Sequence, residues 1–101
     1  TKTGKSIFYR SSYELRAAIE LDNNINVKWW EYEFTVIPYE FKGKKKRYLP
    51  DFHILYTNGT NSLMEVKPLN MRDIERNLAK KEAAIKWCLL KNWEYEQYPK
   101  Y

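Results

Sequence analysis

Cysteine, histidine, glycine and proline are all scarce in this chain of 101 residues, which has one Cys, one His, three Gly and four Pro. Cys88 cannot form an internal disulfide and has no Cys or His neighbour at metal-ligand spacing, which argues against a disulfide scaffold or a structural zinc site. No apolar run approaches the roughly 20 residues of a membrane span, and the first residues lack the order of a signal peptide. We therefore expect a soluble, cytoplasmic protein with no membrane partner.

Bulky apolar residues and positive charge are plentiful. The composition is 44% hydrophobic with nine Tyr and four Trp, enough to build one core, so residues 1–101 are expected to form a single domain. Lys and Arg outnumber Asp and Glu by 18 to 13, which favours a polyanionic partner. Four consecutive residues of a basic run, Lys44, Lys45, Lys46 and Arg47, are candidates to bind a nucleic-acid backbone. The alternative is a solvated, charged turn.

Hydrophobic periodicity and turn residues predict six elements. In chain order they are a helix over 12–22, strands over 27–39, 48–56 and 63–67, a helix over 71–91 and a strand over 93–98. The reversal between the second and third strands is predicted at Asn58–Gly59. The order α-β-β-β-α-β favours an α/β fold with a mixed central sheet flanked by helices.

Each predicted helix has an apolar stripe that should face the sheet. In the first helix the stripe consists of Leu15, Ala18 and Ile19. In the second helix, which Asn70 should cap, the stripe consists of Ile74, Leu78, Ile85, Cys88 and Leu89.

Acidic and basic residues at the ends of two neighbouring predicted strands form the pattern P-D … E-x-K. Asp51 follows Pro50, and Glu65 and Lys67 project to the same side of their strand because side chains alternate. Carboxylates that meet in this way repel unless a cation lies between them, and an oxygen-only site suits Mg²⁺. A lysine beside such a site can neutralise charge during phosphodiester hydrolysis. The alternative is an ordinary solvated strand face.

These residues and several co-linear blocks resemble the PD-(D/E)XK nuclease superfamily. The blocks are residues 9–14, 35–39, 44–48, 50–52 and 65–68, and they look like the TnsA-type endonucleases and the head-completion nucleases of tailed phages. The resemblance covers about residues 7–91 and implies a restriction-endonuclease-like core. It also implies DNA as the partner, a bacterial or phage-infected host cell, and a homodimer or a larger phage or transposition complex.

The resemblance further implies a catalytic site made of Glu14, Asp51, Glu65 and Lys67. Mg²⁺, which Mn²⁺ should be able to replace, would be held by Asp51, Glu65 and the backbone carbonyl of Val66, with Glu14 as a further ligand. Glu14 also fits a capping box that begins at Ser11, and both roles are compatible.

Two further residues, Lys81 and His53, are candidates for contact with DNA. Lys81 interrupts the apolar stripe of the second helix, where its stem could instead cover apolar surface. His53 shares the strand face of Asp51 and could instead pack across the sheet. The function expected is metal-dependent DNA cleavage, structure-specific or partner-guided; the alternatives are a non-catalytic DNA-binding or assembly module and a protein-interaction domain, and RNA is not excluded as a substrate.

Overall fold

Residues 12–66 and 74–99 are the part of the chain that this computed structural model describes, and they contain two helices and six strands. The elements are α1 (Ser12–Asn23), β1 (Val27–Tyr32), β2 (Ile37–Phe41), β3 (Lys44–Tyr48), β4 (Phe52–Tyr56), β5 (Asn61–Val66), α2 (Ile74–Lys91) and β6 (Glu94–Tyr98). Neither of these helices is long and apolar enough to cross a membrane. The predicted helix cap Asn70 and the first residues of the predicted second helix, 71–73, lie outside the described residues.

Four strands form a mixed central sheet in the order β1-β4-β5-β6. The pairs β1/β4 and β4/β5 are antiparallel, whereas β5 and β6 are parallel because α2 carries the chain back between them. The reversal predicted at Asn58–Gly59 is confirmed: Gly59 has a φ of 90°, and the Thr60 amide donates to Asn58 Oδ1 at 2.9 Å. The prediction of an α/β fold with a mixed sheet between helices is therefore confirmed.

The sheet separates two apolar layers. On one face, α1 packs through its small residues against a core that contains Trp30, Phe52, Ile54, Met64 and Val66. On the other face, α2 packs over Leu63 together with the β2–β3 hairpin. The alternation of side chains along β5 explains this division, because Met64 and Val66 point to one face and Leu63 to the other.

The predicted strand boundaries need a correction around residues 27–48. The single strand predicted over 27–39 is two strands, because Glu33 adopts a φ of 48° and turns the chain between β1 and β2. The basic run predicted as a turn is itself strand β3, paired antiparallel with β2. The turn lies just before it, at Lys42 and Gly43, which both have positive φ, as a two-residue hairpin loop requires.

The predicted packing faces of both helices were also largely wrong. In α1, two members of the predicted stripe, Leu15 and Ile19, are 45% and 52% exposed. The third member, Ala18, is buried. The buried side chains of α1 are Glu14, Ala17, Ala18 and Leu21. In α2, the exposed members of the predicted stripe are Leu78, Ile85 and Leu89, whereas the buried residues are Ala84 and Cys88.

Candidate active site

Asp51 lies at the junction between the hairpin and β4. The register of β4 and β5 pairs Phe52 with Met64, so one further step along the ladder places Asp51 opposite Glu65. The Asp51 carboxylate accepts a hydrogen bond from the Val66 amide at 2.7 Å, and its backbone carbonyl accepts one from the Glu33 amide at 3.0 Å. Both bonds hold Asp51 between the ends of β1 and β5.

Glu14 reaches the same place from the first turn of α1. Its side chain is only 4% exposed, and its Oε2 atom accepts a hydrogen bond of 2.7 Å from the hydroxyl of Tyr32. Glu14 also shares a hydrogen bond with Asp51, so two carboxyl groups from distant parts of the sequence are in direct contact. The alternative capping role involves Ser11, which lies outside the described residues.

The proximity of these carboxyl groups changes the acidity of Asp51. The pKa of Asp51 is raised from 3.8 to about 7, with burial as the largest cause and the Val66 hydrogen bond acting in the opposite direction. The charge and hydrogen bond of Glu14, and the charge of Glu33, make smaller contributions to this increase. Near neutral pH, Asp51 is therefore a carboxyl group that a nearby cation would readily convert to its charged form.

Glu65 lies on the α2 side of the sheet, with its Oε2 atom buried. Its strand neighbour on β6 is Gln97. The adjacent Tyr95 is half-buried, and burial together with the negative charges of Glu65 and Asp51 raises the pKa of its hydroxyl. Tyr95 therefore lies within the electrostatic reach of both predicted catalytic carboxylates.

The described carboxylates do not converge as tightly as the sequence pattern suggested. Asp51 and Glu14 are in contact, whereas Glu65 belongs to the neighbouring strand β5, at the position opposite Asp51. In residues 12–66 and 74–99 there is no group of three or more His, Cys, Asp or Glu side chains placed to hold a metal. Lys67, the remaining member of the predicted site, follows Val66 and lies outside the described residues.

The donor chemistry of the contacting pair nevertheless fits a hard divalent cation. The buried carboxyl group of Glu14 and the half-buried one of Asp51 repel when both are charged, which is one cause of the raised pKa of Asp51. Mg²⁺ prefers such oxygen ligands and completes its shell with water, so it does not need a cage made of protein alone.

His53 has its polar atoms engaged inside the fold. The imidazole is 6% exposed, with Thr35 Oγ1 2.7 Å from Nδ1 and Asn61 Oδ1 2.9 Å from Nε2. Its ring packs edge-on against Trp29, Phe34 and Trp93. This environment favours cross-strand packing over the predicted contact with DNA.

Lys81 and the basic run are accessible, unlike His53. Lys81 is half-buried on α2 and lines an open groove of about 830 Å³ together with Tyr95 and Gln97, the neighbours of Glu65 on β6. The side chains of Lys44, Lys45, Lys46 and Arg47 are all exposed on β3.

Three residues around Asp51 were missed by sequence reasoning: Tyr32, Glu33 and Tyr95. Tyr32 and Tyr95 looked like ordinary aromatic members of strands, and their roles depend on which element lies across from each strand. Glu33 gave no sequence signal, because a positive φ at a residue other than Gly is uncommon.

Comparison with known proteins identifies the family of the chain. Residues 24–98 match the family model described as TnsA-like endonuclease N terminal. The chain belongs to this family. The resemblance to TnsA-type endonucleases expected from the sequence is therefore confirmed. The matched range of the TnsA-like domain contains Asp51, Glu65 and Lys67 and begins after Glu14.

A curated relative of the TnsA-like domain is the head completion nuclease of Enterobacteria phage T4. The two are 38% identical over 66 residues, which is 63% of this chain and 44% of the relative. The chain thus spans less than half the length of the relative that it matches. No solved structure matches the chain with significance.

Proposed function

We propose that this TnsA-like domain is an endonuclease that hydrolyses phosphodiester bonds of DNA with the help of Mg²⁺. The observation that carries the proposal is the contact between Asp51 and the buried Glu14, in which the pKa of Asp51 is raised towards neutrality. Membership of an endonuclease family and likeness to a phage nuclease support the same activity. An arrangement of this kind would be a costly way to build a purely structural domain.

The roles of the residues follow from their positions. Asp51 and Glu14 would hold the cation, with Glu65 and the backbone carbonyl of Val66 as proposed further oxygen ligands. The bound cation would polarise the scissile phosphate and lower the pKa of a water ligand. The Val66 amide and the Tyr32 hydroxyl orient the two carboxylates, and Lys67 would neutralise charge that develops on the phosphate.

Cleavage of supercoiled plasmid DNA tests the proposal. We expect nicking or linearisation with Mg²⁺ or Mn²⁺, none in EDTA, and binding without turnover in Ca²⁺. Asp51→Asn and Lys67→Ala should each reduce the rate by about 10²-fold or more, because each removes a principal electrostatic group.

The non-catalytic alternative makes a different prediction for the same assay. A DNA-binding or assembly module would shift plasmid or linear DNA in a gel without cutting it under any metal condition. Undiminished cleavage in EDTA would reject metal dependence, and unchanged activity of Asp51→Asn would reject the assignment of this site. Direct titration with Mn²⁺, followed by calorimetry, gives a readout of the metal site that does not depend on turnover.

A further inference from the structure

The register of the β2–β3 hairpin divides the basic run into two sides. Residues directly opposite each other in an antiparallel pair project to the same side. Lys44 pairs with Phe41 and Lys46 with Tyr39. Both lysines therefore share the side of the hairpin that packs on α2, which we call the helix-facing side.

The helix-facing side gains further positive charge from α2. The Arg76 guanidinium lies 5.8 Å from the centre of the Phe41 ring, and Lys80 Nζ lies 5.5 Å from that of Tyr48. These cation–π contacts place both groups on the side of the hairpin that carries Lys44 and Lys46. Lys42 in the turn also belongs to this region, but its charge is balanced by Glu75 at 3.6 Å.

The opposite side of the hairpin, which we call the outer side, is less basic. It holds Lys45 and Arg47. Lys45 is paired directly with Glu40, whose opposite charge offsets it, and Arg47 is paired with Pro38. Of the four cations of β3, the outer side therefore presents only Arg47 without an acidic cross-strand partner, whereas the helix-facing side presents Lys44 and Lys46 and is extended on α2 by Lys80 and Arg76.

The helix-facing side is also continuous with the candidate active site. Strand β3 ends at Tyr48, the residue that Lys80 contacts, and three residues later the chain reaches Asp51 by way of the buried Pro50. A polyanion that lay along Lys44, Lys46, Arg76 and Lys80 would approach Asp51 without crossing an acidic surface of the hairpin.

We propose that the helix-facing side of the hairpin and the N-terminal half of α2 form one surface that binds the DNA backbone, and that the outer side does not. The proposal rests on the proposed function for its ligand. Strand β3 and the N-terminal half of α2 thus contribute cations to the same DNA-binding surface. Backbone contacts of this kind position the duplex without reading its sequence.

Two matched double variants test this division: Lys44→Ala with Lys46→Ala, and Lys45→Ala with Arg47→Ala. Each removes two exposed cations from the same strand. Binding of the full chain to a duplex in Ca²⁺ is titrated at three salt concentrations. The helix-facing pair should weaken binding roughly tenfold or more and flatten the slope of log K against log salt by up to about 1.8, since each phosphate contact contributes about 0.9. The outer pair should change affinity less than about threefold.

A third variant, Arg76→Ala with Lys80→Ala, should resemble the helix-facing pair. Equal losses from both hairpin pairs, a larger loss from the outer pair, or no DNA binding by the unaltered protein would overturn the surface. Thermal melting confirms that each variant is folded. The outcome is separable from the proposed function. If the protein cleaves DNA but both double variants lose the same affinity, only the proposed surface is rejected. If the helix-facing pair loses more affinity but the protein does not cleave DNA in Mg²⁺, only the nuclease activity is rejected.

Discussion

The neutral form of the Asp51 carboxyl group stabilises the fold, whereas the proposed cation site needs its charged form. Its pKa in the folded protein, about 7, lies above the ordinary value of 3.8, so the folded state binds more protons between these two values. The contribution of the neutral Asp51 to the free energy of unfolding is fully present below about pH 4. It is lost as the pH rises through about 7. A bound cation would offset this loss by favouring the charged form.

Replacing Asp51 by Asn should therefore stabilise the metal-free protein in a pH-dependent way. Asn can still accept the Val66 hydrogen bond but carries no charge beside Glu14. The difference in the free energy of unfolding should be near zero at pH 4 and should grow to on the order of 4 kcal/mol above pH 7. Urea denaturation in EDTA from pH 4 to 8 measures it. A difference that does not change with pH would contradict the raised pKa, and added Mn²⁺ should shrink the difference.

Tyr32 is a positioning residue for Glu14. Tyr32→Phe removes the hydroxyl that donates to Glu14 and keeps the ring, which packs edge-on against Phe52. We expect a stability loss of about 1 kcal/mol and a cleavage rate about ten times lower, because the carboxylate loses the partner that orients it.

Tyr56→Phe is the matched control for this change. Tyr56 also donates its hydroxyl to a glutamate, Glu96 on β6, away from Asp51. The control variant should lose stability without losing activity. If Tyr32→Phe and Tyr56→Phe reduced the cleavage rate equally, the effect would be a general one on the fold, and Tyr32 would have no special role.

At the scale of elements, α1 buries a face that its larger apolar side chains do not predict. The residues at 15, 18, 19 and 22 and those at 14, 17, 18 and 21 have the same helical spacing, and the first set contains the larger apolar side chains. The structure buries the second set, which brings Glu14 to Asp51 and leaves Leu15 and Ile19 exposed. The small residues Ala17 and Ala18 allow close approach to the sheet.

Alanine substitution distinguishes the two faces of α1. Leu21 is 5% exposed and belongs to the core, so Leu21→Ala should cost about 2 to 5 kcal/mol. Ile19 is 52% exposed, so Ile19→Ala should change stability by less than about 0.5 kcal/mol. Urea denaturation of both variants provides the comparison. Similar losses would mean that α1 packs by the face that the sequence first suggested.

The basic run shows a related effect in a strand. Consecutive lysines indicate an exposed segment, but they do not distinguish a turn from an edge strand. The two-residue loop at Lys42 and Gly43 makes residues 44–48 a strand, and its register then sorts neighbouring cations onto opposite sides. Lys44 and Lys45 are adjacent in sequence and yet face different surroundings.

At the scale of the whole molecule, the candidate site combines three remote segments. Glu14 comes from α1, Asp51 from the start of β4, and Glu65 and Val66 from the end of β5. The link between Asp51 and Glu65 could be predicted, because Asn58–Gly59 is a hairpin signal that makes their strands neighbours. Direct contact between Asp51 and Glu14 requires α1 to lie across the sheet, and no local signal reports that.

The sequence by itself determined what depends on near neighbours in the chain: the reversal at Asn58–Gly59, the helix that begins near Ser12, the alternation that separates Glu65 from Val66, and the basic character of residues 44–47. Local backbone preferences and turn chemistry act over a few residues, so they can be read from a few residues. Only the tertiary structure decided which face of α1 is buried, that Tyr32 and Tyr95 approach the carboxylates, and that α2 reinforces one side of the hairpin. These features depend on packing between elements far apart in the chain, where burial of apolar surface outweighs local preference.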